Sequence, residues 1–342
     1  MDEQFNNGLI LTKKFGNVTF NLLGGNMRHI FIINPIAGDG KYQKDLADSI
    51  HAQFKDKDIN YEVYFSKFKG DIQNYINNKC KDSISSVIYA CGGDGTLHEV
   101  INSACKFDHI NVGVIPCGSG NDFIKNFINY ENFNSIEAQM QGEIVYLDLI
   151  KVNDIYASSV CNVGLDADAA FHMHKFKKLP FISGSTRYYL SVLYCLINEL
   201  GRYLKISIDD NEEINNSFLL GVVANGQFYG GGYKCAPLAI INDGLMDLCL
   251  VDKISRFQII NLIGSYKLGN HLKNPKINKY ITYKKCKHVK IKSNEPLNVC
   301  IDGEIYIQDE VNLTIKDEAL KLWLPKGTKI KGNEEDFSAL TQ

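Results

Sequence analysis

Val87-Ile88-Tyr89-Ala90-Cys91-Gly92-Gly93-Asp94-Gly95-Thr96-Leu97-His98-Glu99-Val100-Ile101 passes from an apolar run through a glycine turn into a segment of helical character. The reading is a buried strand, a turn and a helix N-terminus. Glycines lack Cβ, so backbone N–H groups approach phosphate oxygens closely and the turn has access to positive φ. The helix start adds unpaired donors and a partial positive charge. Asp94 is the unexpected member. A carboxylate in a phosphate-binding turn repels its ligand unless it acts through a cation or holds the turn itself, which points to a Mg2+-nucleotide.

Around that turn the chain alternates apolar runs with helix-like segments. Strands are predicted at 29–33, 87–91 and 112–115 and helices at 42–54, 71–78 and 97–105, the rhythm of a doubly wound α/β sheet. Ligands of such sheets bind at the carboxyl ends of the strands. Two more loops fall there: Asn34-Pro35-Ile36-Ala37-Gly38-Asp39-Gly40-Lys41, which lacks the Walker A spacing, and Pro116-Cys117-Gly118-Ser119-Gly120-Asn121-Asp122-Phe123. Three such loops at successive strand ends call for a phosphorylated ligand.

Beyond Asp148 the pattern changes to strands and turns. Asn153-Asp154 reads as a hairpin turn, strands are predicted at 205–208, 218–224, 245–251, 289–291 and 297–301, and one helical segment at 186–203. The expected organisation is a 1–27 extension, with a hairpin around Gly16-Asn17 as one option, and a 28–150 α/β nucleotide-binding domain. A 151–325 mainly antiparallel β domain for substrate and a 326–342 tail complete it. At 342 residues the chain exceeds one compact core. A net charge of −2 supplies no general attraction to nucleic acid. The ten cysteines form no C-x-x-C pair, arguing against zinc and disulfides. Neither a secretory signal nor a bilayer-length apolar stretch stands out, so the expectation is a cytoplasmic protein.

Taken in order, Asn34-Pro35-Ile36-Ala37-Gly38, Gly92-Gly93-Asp94-Gly95-Thr96-Leu97 with Glu99, and Gly118-Ser119-Gly120-Asn121-Asp122-Phe123 begin a longer series. It continues through Asn225-Gly226, Tyr229-Gly230-Gly231-Gly232, Ala236-Pro237, Asp243-Gly244 and Asp302-Gly303-Glu304. This series resembles the diacylglycerol kinase catalytic family of lipid kinases, its soluble bacterial branch above all, over residues 28–325.

The resemblance implies ATP between the two domains, over the 34–38 and 92–99 turns, with Ser66, Ser119, Asn121 and Asp122 on the nucleotide side. It makes Asp94 the organiser of Mg2+, with Asp148 in the same network. It implies a structural Mg2+ on Asp243 and the carbonyls of Ile240 and Leu245. Phosphoryl transfer to a lipid alcohol needs a base; Asp302 and Glu304 are the candidates, Asp302 the first choice, their side chains sharing one face. Taken alone, Asp302-Gly303 reads as a hairpin turn. His98 stands where the family usually has asparagine, and Lys125 where arginine often follows.

The acceptor, most simply diacylglycerol, lies in a membrane. The 172–182 stretch, with Lys175, Lys177 and Lys178 among large apolar residues, is a candidate for peripheral contact. An exposed sheet edge is a route to a homodimer. The competing readings are a soluble-metabolite kinase such as an NAD kinase, and an inactive nucleotide- or lipid-binding regulator.

Overall fold

The computed structural model describes residues 12–15, 18–21, 27–38, 40, 42–176, 184–198 and 200–332. β1 (Thr12–Phe15) and β2 (Val18–Asn21) pair antiparallel. Then follow β3 (Arg28–Ile33), α1 (Gln43–Phe54), β4 (Tyr61–Phe65), α2 (Asp71–Lys79), β5 (Ser86–Gly92), α3 (Asp94–Ala104) and β6 (Ile110–Pro116). Strands β4, β3, β5 and β6 lie side by side, all parallel.

Helices cover both faces of this sheet, which is why β3, β5 and β6 read as near-continuous apolar runs. Alternate residues sort to opposite sides. Ile30, Ile32, Ile88 and Ala90 pack with Ile72, Ile76, Val100 and Ile101 of α2 and α3. Phe31, Ile33, Val87 and Tyr89 pack with Ile50 and Phe54 of α1. The edge strand β4 escapes sequence reading because it is only partly buried; its Glu62 faces Lys79 and Tyr75 of α2.

The chain continues with β7 (Phe127–Ile128), α4 (Ile136–Met140), β8 (Glu143–Val152), β9 (Ile155–Ala157), β10 (Val160–Gly164), α5 (Leu165–His172), α6 (Gly184–Asn198) and β11 (Arg202–Ile208). After these come β12 (Glu212–Ala224), β13 (Met246–Asp252), α7 (Arg256–Lys267), α8 (Pro275–Asn278), β14 (Ile281–Cys286), β15 (His288–Ile301) and β16 (Glu304–Leu324). The pairings among β10 to β16 are antiparallel. The Asn153-Asp154 turn joins β8 to β9, with Asn153 at φ +51°.

Three features differ from expectation. The helix placed over 186–203 ends at Asn198, because Gly201 at φ +78° breaks it and Arg202 and Tyr203 open β11. The segments 289–291 and 297–301 are one strand, β15, interrupted by a register shift between Lys292 and Leu297. The two domains are also not divided by a single crossing near residue 150. β8 carries the chain out, and β16 brings it back: Leu320, Leu322 and Leu324 pack with Val145, Leu147 and Leu149 in the first core, and Leu322 pairs parallel with Val112 of β6.

Candidate active site

A cleft of about 1020 Å3 lies between the carboxyl ends of the parallel strands and the β domain. Asn34, Pro35, Ile36, Ala37 and Gly38 line it after β3, Gly93, Asp94, Gly95, Thr96, Leu97 and Glu99 at the start of α3, and Gly118, Ser119 and Asp122 after β6, with Ser66 beside them. Asn34 Nδ2 donates to Thr96 Oγ1 at 3.0 Å, tying the first loop to the second. The second and third loops touch backbone to backbone: a Cβ on Gly118 would stand 2.4 Å from the Gly93 Cα, so only glycine fits. Gly92 and Asn121 shape these turns without lining the cleft. Asn121, at φ +50°, accepts from Gly118 N and donates to Gly118 O. Of the Asn34–Lys41 stretch, Asp39 and Lys41 lie outside the described residues.

Asp94 opens α3 and accepts from the backbone N–H of Asp122 at 2.8 Å. Burial and the neighbouring Asp122 charge push the Asp94 carboxyl above the usual carboxylate range, against the opposing pull of those backbone donors. Asp122 in turn accepts from Lys125 Nζ at 2.6 Å and from Gly231 N at 2.7 Å. The second contact comes from the Tyr229–Gly232 glycine run of the β domain, so Asp122 joins the two walls of the cleft.

The opposite wall carries the Asp-Gly-Glu segment. Ile301 of β15 pairs with Glu304 of β16, leaving Asp302 (φ +47°) and Gly303 (φ +93°) as a two-residue hairpin turn. The hairpin turn read from Asp302-Gly303 alone is present, and it sets the directions of both acids. The two carboxylates do not share a face. Asp302 points into protein, its Oδ1 accepting from Ser159 N and Val160 N at 3.0 Å each, its Oδ2 from Ser158 N at 2.7 Å and Ser158 Oγ at 3.1 Å. Burial works to raise its pKa, but His98 and these donors outweigh it and hold the carboxyl below the usual range. His98 Nδ1 stands 3.6 Å from Asp302 Oδ2, an electrostatic neighbour beyond hydrogen-bond length. Glu304 instead faces the glycine turn: its Oε1 would lie 3.4 Å from a Cβ on Gly95. Lys69 Nζ reaches its other oxygen.

This arrangement, a glycine-rich α/β half facing a β half across one cleft, matches two domain families along the chain. The diacylglycerol kinase catalytic domain matches residues 28–152, and the YegS C-terminal NAD kinase beta sandwich-like domain matches residues 159–324. The chain belongs to the diacylglycerol kinase catalytic family of lipid kinases. A diacylglycerol kinase of Staphylococcus carnosus is 24% identical over 300 residues, covering 87% of this chain and 95% of that one. One of Staphylococcus saprophyticus is 26% identical over 275 residues, covering 80% and 87%. The crystal structure of a diacylglycerol kinase from Bacillus anthracis strain Sterne superposes with a TM-score of 0.63 at 18% identity, covering 87% of this chain and 97% of that one, a likeness of fold.

Two acids expected near metal ions in this lipid kinase do not line the cleft. Asp148 is not part of the cleft. Its oxygens accept from Glu318 N at 2.9 Å and Gly244 N at 2.8 Å, where the register of β8 on β16 shifts between Lys316 and Leu320. Asp148 clasps the β16 bulge to the 240–245 loop. The carboxylate expected to hold a structural Mg2+, Asp243, pairs with Lys285 Nζ at 2.6 Å and accepts from Leu245 N at 3.1 Å. A Mg2+ on Asp243 and the carbonyls of Ile240 and Leu245 would share that carboxylate with Lys285. Among the described residues no group of three or more His, Cys, Asp or Glu is placed to hold a metal ion.

Sequence reasoning missed the partners that position the acids: Ser158 and Ser159 under Asp302, and Lys69 on Glu304. It also missed a buried acid in the cleft wall. Asp166 of α5 accepts from Tyr188 Oη at 3.3 Å and from Tyr229 Oη. Burial raises its carboxyl to about 6, against the Tyr188 hydrogen bond that favours the charge. Because the folded-state pKa exceeds the unfolded one, the associated stability is present below the ordinary carboxylate range and lost as pH rises through about 6. Asp166→Asn removes that loss. The unfolding free energy of the variant relative to wild type is expected to be higher at pH 7.5 than at pH 5, by about 1–2 kcal/mol. Equal differences at the two pH values would refute the raised pKa.

Proposed function

We propose that this lipid kinase transfers the γ-phosphate of ATP, with Mg2+, to the hydroxyl of diacylglycerol, giving phosphatidic acid. The observation that carries this reading is the approach of Glu304, from the β domain, to Gly95 in the first turn of α3. A phosphate chain cradled by the α3 N-terminus and a hydroxyl beside Glu304 then stand next to each other. The nucleotide lies over Asn34–Gly38 and Gly93–Thr96, with Ser66 and Ser119 as further donors. Asp94 and Asp122 fit a Mg2+: two buried carboxylates, the Asp94 pKa pushed up by burial and by the Asp122 charge, gain from an intervening positive charge. When bound, the ion supplies charge neutralisation at the phosphate oxygens.

Glu304 takes the proton of the acceptor hydroxyl as its oxygen bonds to the γ-phosphorus. The bond from the γ-phosphorus to the β–γ bridging oxygen breaks, and ADP leaves with that electron pair. Both oxygens of Asp302 are engaged by backbone and serine donors, and its pKa is depressed. Such a carboxylate is a poor base. Asp302, the first choice on sequence, is therefore a positioning residue, anchoring the turn that aims Glu304.

The acceptor resides in a bilayer, so the enzyme works at a membrane surface. Among the described residues no helix is long and apolar enough to cross one. Of the 172–182 stretch, Lys175 is tied to Tyr194 Oη at 2.9 Å, whereas Lys177 and Lys178 lie outside the described residues. The test is transfer of labelled γ-phosphate from Mg2+-ATP to diacylglycerol, sphingosine, ceramide, phosphatidylglycerol and undecaprenol in mixed micelles, with NAD in parallel. Labelled phosphatidic acid is the expected product. Label on another lipid alone would replace the acceptor, and label on NAD alone would overturn the lipid reading.

A further inference from the structure

The outer face of α7 does not suit water. Ile259, Leu262 and Tyr266 are buried in the β-domain core, yet the opposite side presents Phe257 at 77% exposure and Ile260 at 69%, with Ile263 and Leu268 also exposed. A surface helix ordinarily turns polar residues outward. The patch extends onto α6. Arg256 donates to the carbonyl oxygens of Leu196 and Ile197, setting the end of α6 against the start of α7, so that the exposed Leu193 and Ile197 adjoin it.

The charge around this patch has one sign. Residues 253–294 contain eleven lysine and arginine residues and no aspartate or glutamate, in a chain whose net charge is −2. Four of the later lysines meet acids of other strands: Lys284 meets Glu212, Lys285 meets Asp243, and Lys290 and Lys292 meet Glu310. Lys253, Arg256, Lys267, Lys273, Lys276 and Lys279, around α7 and α8, have no carboxylate partner among the described residues.

We propose that the α6–α7 face is the surface by which the enzyme docks on an anionic bilayer. Apolar side chains enter the acyl boundary while the surrounding cations meet lipid headgroups. A second copy of the chain is the poorer occupant: a twofold contact sets this basic face against itself. The face is also continuous with the cleft. Tyr188 of α6 lines the cleft, as do Phe228 and Tyr229, and the loop that follows them is held to the end of α7 by Lys234 N donating to Lys267 O at 3.2 Å. This inference rests on the lipid-kinase reading for its partner and adds the surface.

Two variants of the full chain test it by vesicle co-sedimentation without nucleotide: Phe257→Ser with Ile260→Ser, and Lys267→Glu with Lys273→Glu and Lys276→Glu. Vesicles are phosphatidylcholine alone or with phosphatidylglycerol. The apolar pair is expected to weaken binding to both, by about tenfold or more per side chain. Loss of the lysines is expected to weaken binding to the anionic vesicles alone, by about fivefold or more per residue. Phosphorylation of a short-chain, monomerically dissolved diacylglycerol is expected to be unchanged in both. Unchanged vesicle binding would overturn the proposal. So would a dimer in wild type that both variants dissolve without loss of vesicle binding. A wild type that binds vesicles but phosphorylates no lipid would break the acceptor reading and leave the docking face standing.

Discussion

Glu304→Gln is expected to lower kcat by about 10²–10⁴-fold, the usual contribution of a positioned base, with little change in the KM for ATP. The side chain is partly exposed, and its Lys69 partner is a surface cation worth little to stability. Its removal should therefore leave the melting temperature close to wild type. Asp302→Asn is expected to behave differently. Four donors converge on its two oxygens, and an amide turns one of those oxygens into a donor facing donors. A buried mismatch of that kind costs about 1–3 kcal/mol, so activity and melting temperature should fall together. Chemical quench over a single turnover, paired with thermal melts of each variant, separates the two. If Asp302→Asn lost the chemical step at full stability while Glu304→Gln stayed within tenfold of wild type, the roles would be reversed.

Asp94→Asn is expected to cost about 10²–10³-fold in kcat, the scale of losing one organised charge at the reacting phosphate, and to raise the Mg2+ concentration needed for half-maximal rate. It should also stabilise the protein at neutral pH. Burial and Asp122 raise the Asp94 pKa in the folded state, so ionised Asp94 opposes folding above the ordinary carboxylate range, and the asparagine removes that opposition. The amide oxygen still accepts from Asp122 N, preserving the turn. The gain should vanish at acid pH, where wild-type Asp94 is protonated. A Mg2+ titration of rate beside melts at two pH values checks both halves. A variant with wild-type rate and Mg2+ dependence would remove Asp94 from the metal's surroundings.

The parallel sheet was legible because each of its inner strands is buried on both faces and so announces itself as an apolar run. The loops were legible for a related reason. Where two backbones nearly touch, as at Gly93 and Gly118, only glycine is tolerated, and the requirement is written into the sequence. α7 was not legible: it is apolar on its buried side and on its exposed side alike, so no periodicity marks it, and the absence of acids over 253–294 gains meaning only once those cations are seen to surround an apolar face.

By itself the sequence determined the inner strands and the helices of the parallel-sheet half, the three loops that line the cleft and the identity of the acids available. The tertiary structure decided what surrounds each acid. Asp302 and Glu304 are neighbours in the chain with the same functional group. One is turned by the hairpin toward the amides of Ser158, Ser159 and Val160 and, with His98 beside it, is held below the usual carboxylate range, while the other faces the glycine turn across the cleft. Asp148 and Asp243, also acids of the same kind, contact a β-bulge and a lysine. A carboxylate's chemistry depends on the donors and charges within a few ångströms of it, and here the deciding ones come from segments 42 or more residues away, which no local pattern records.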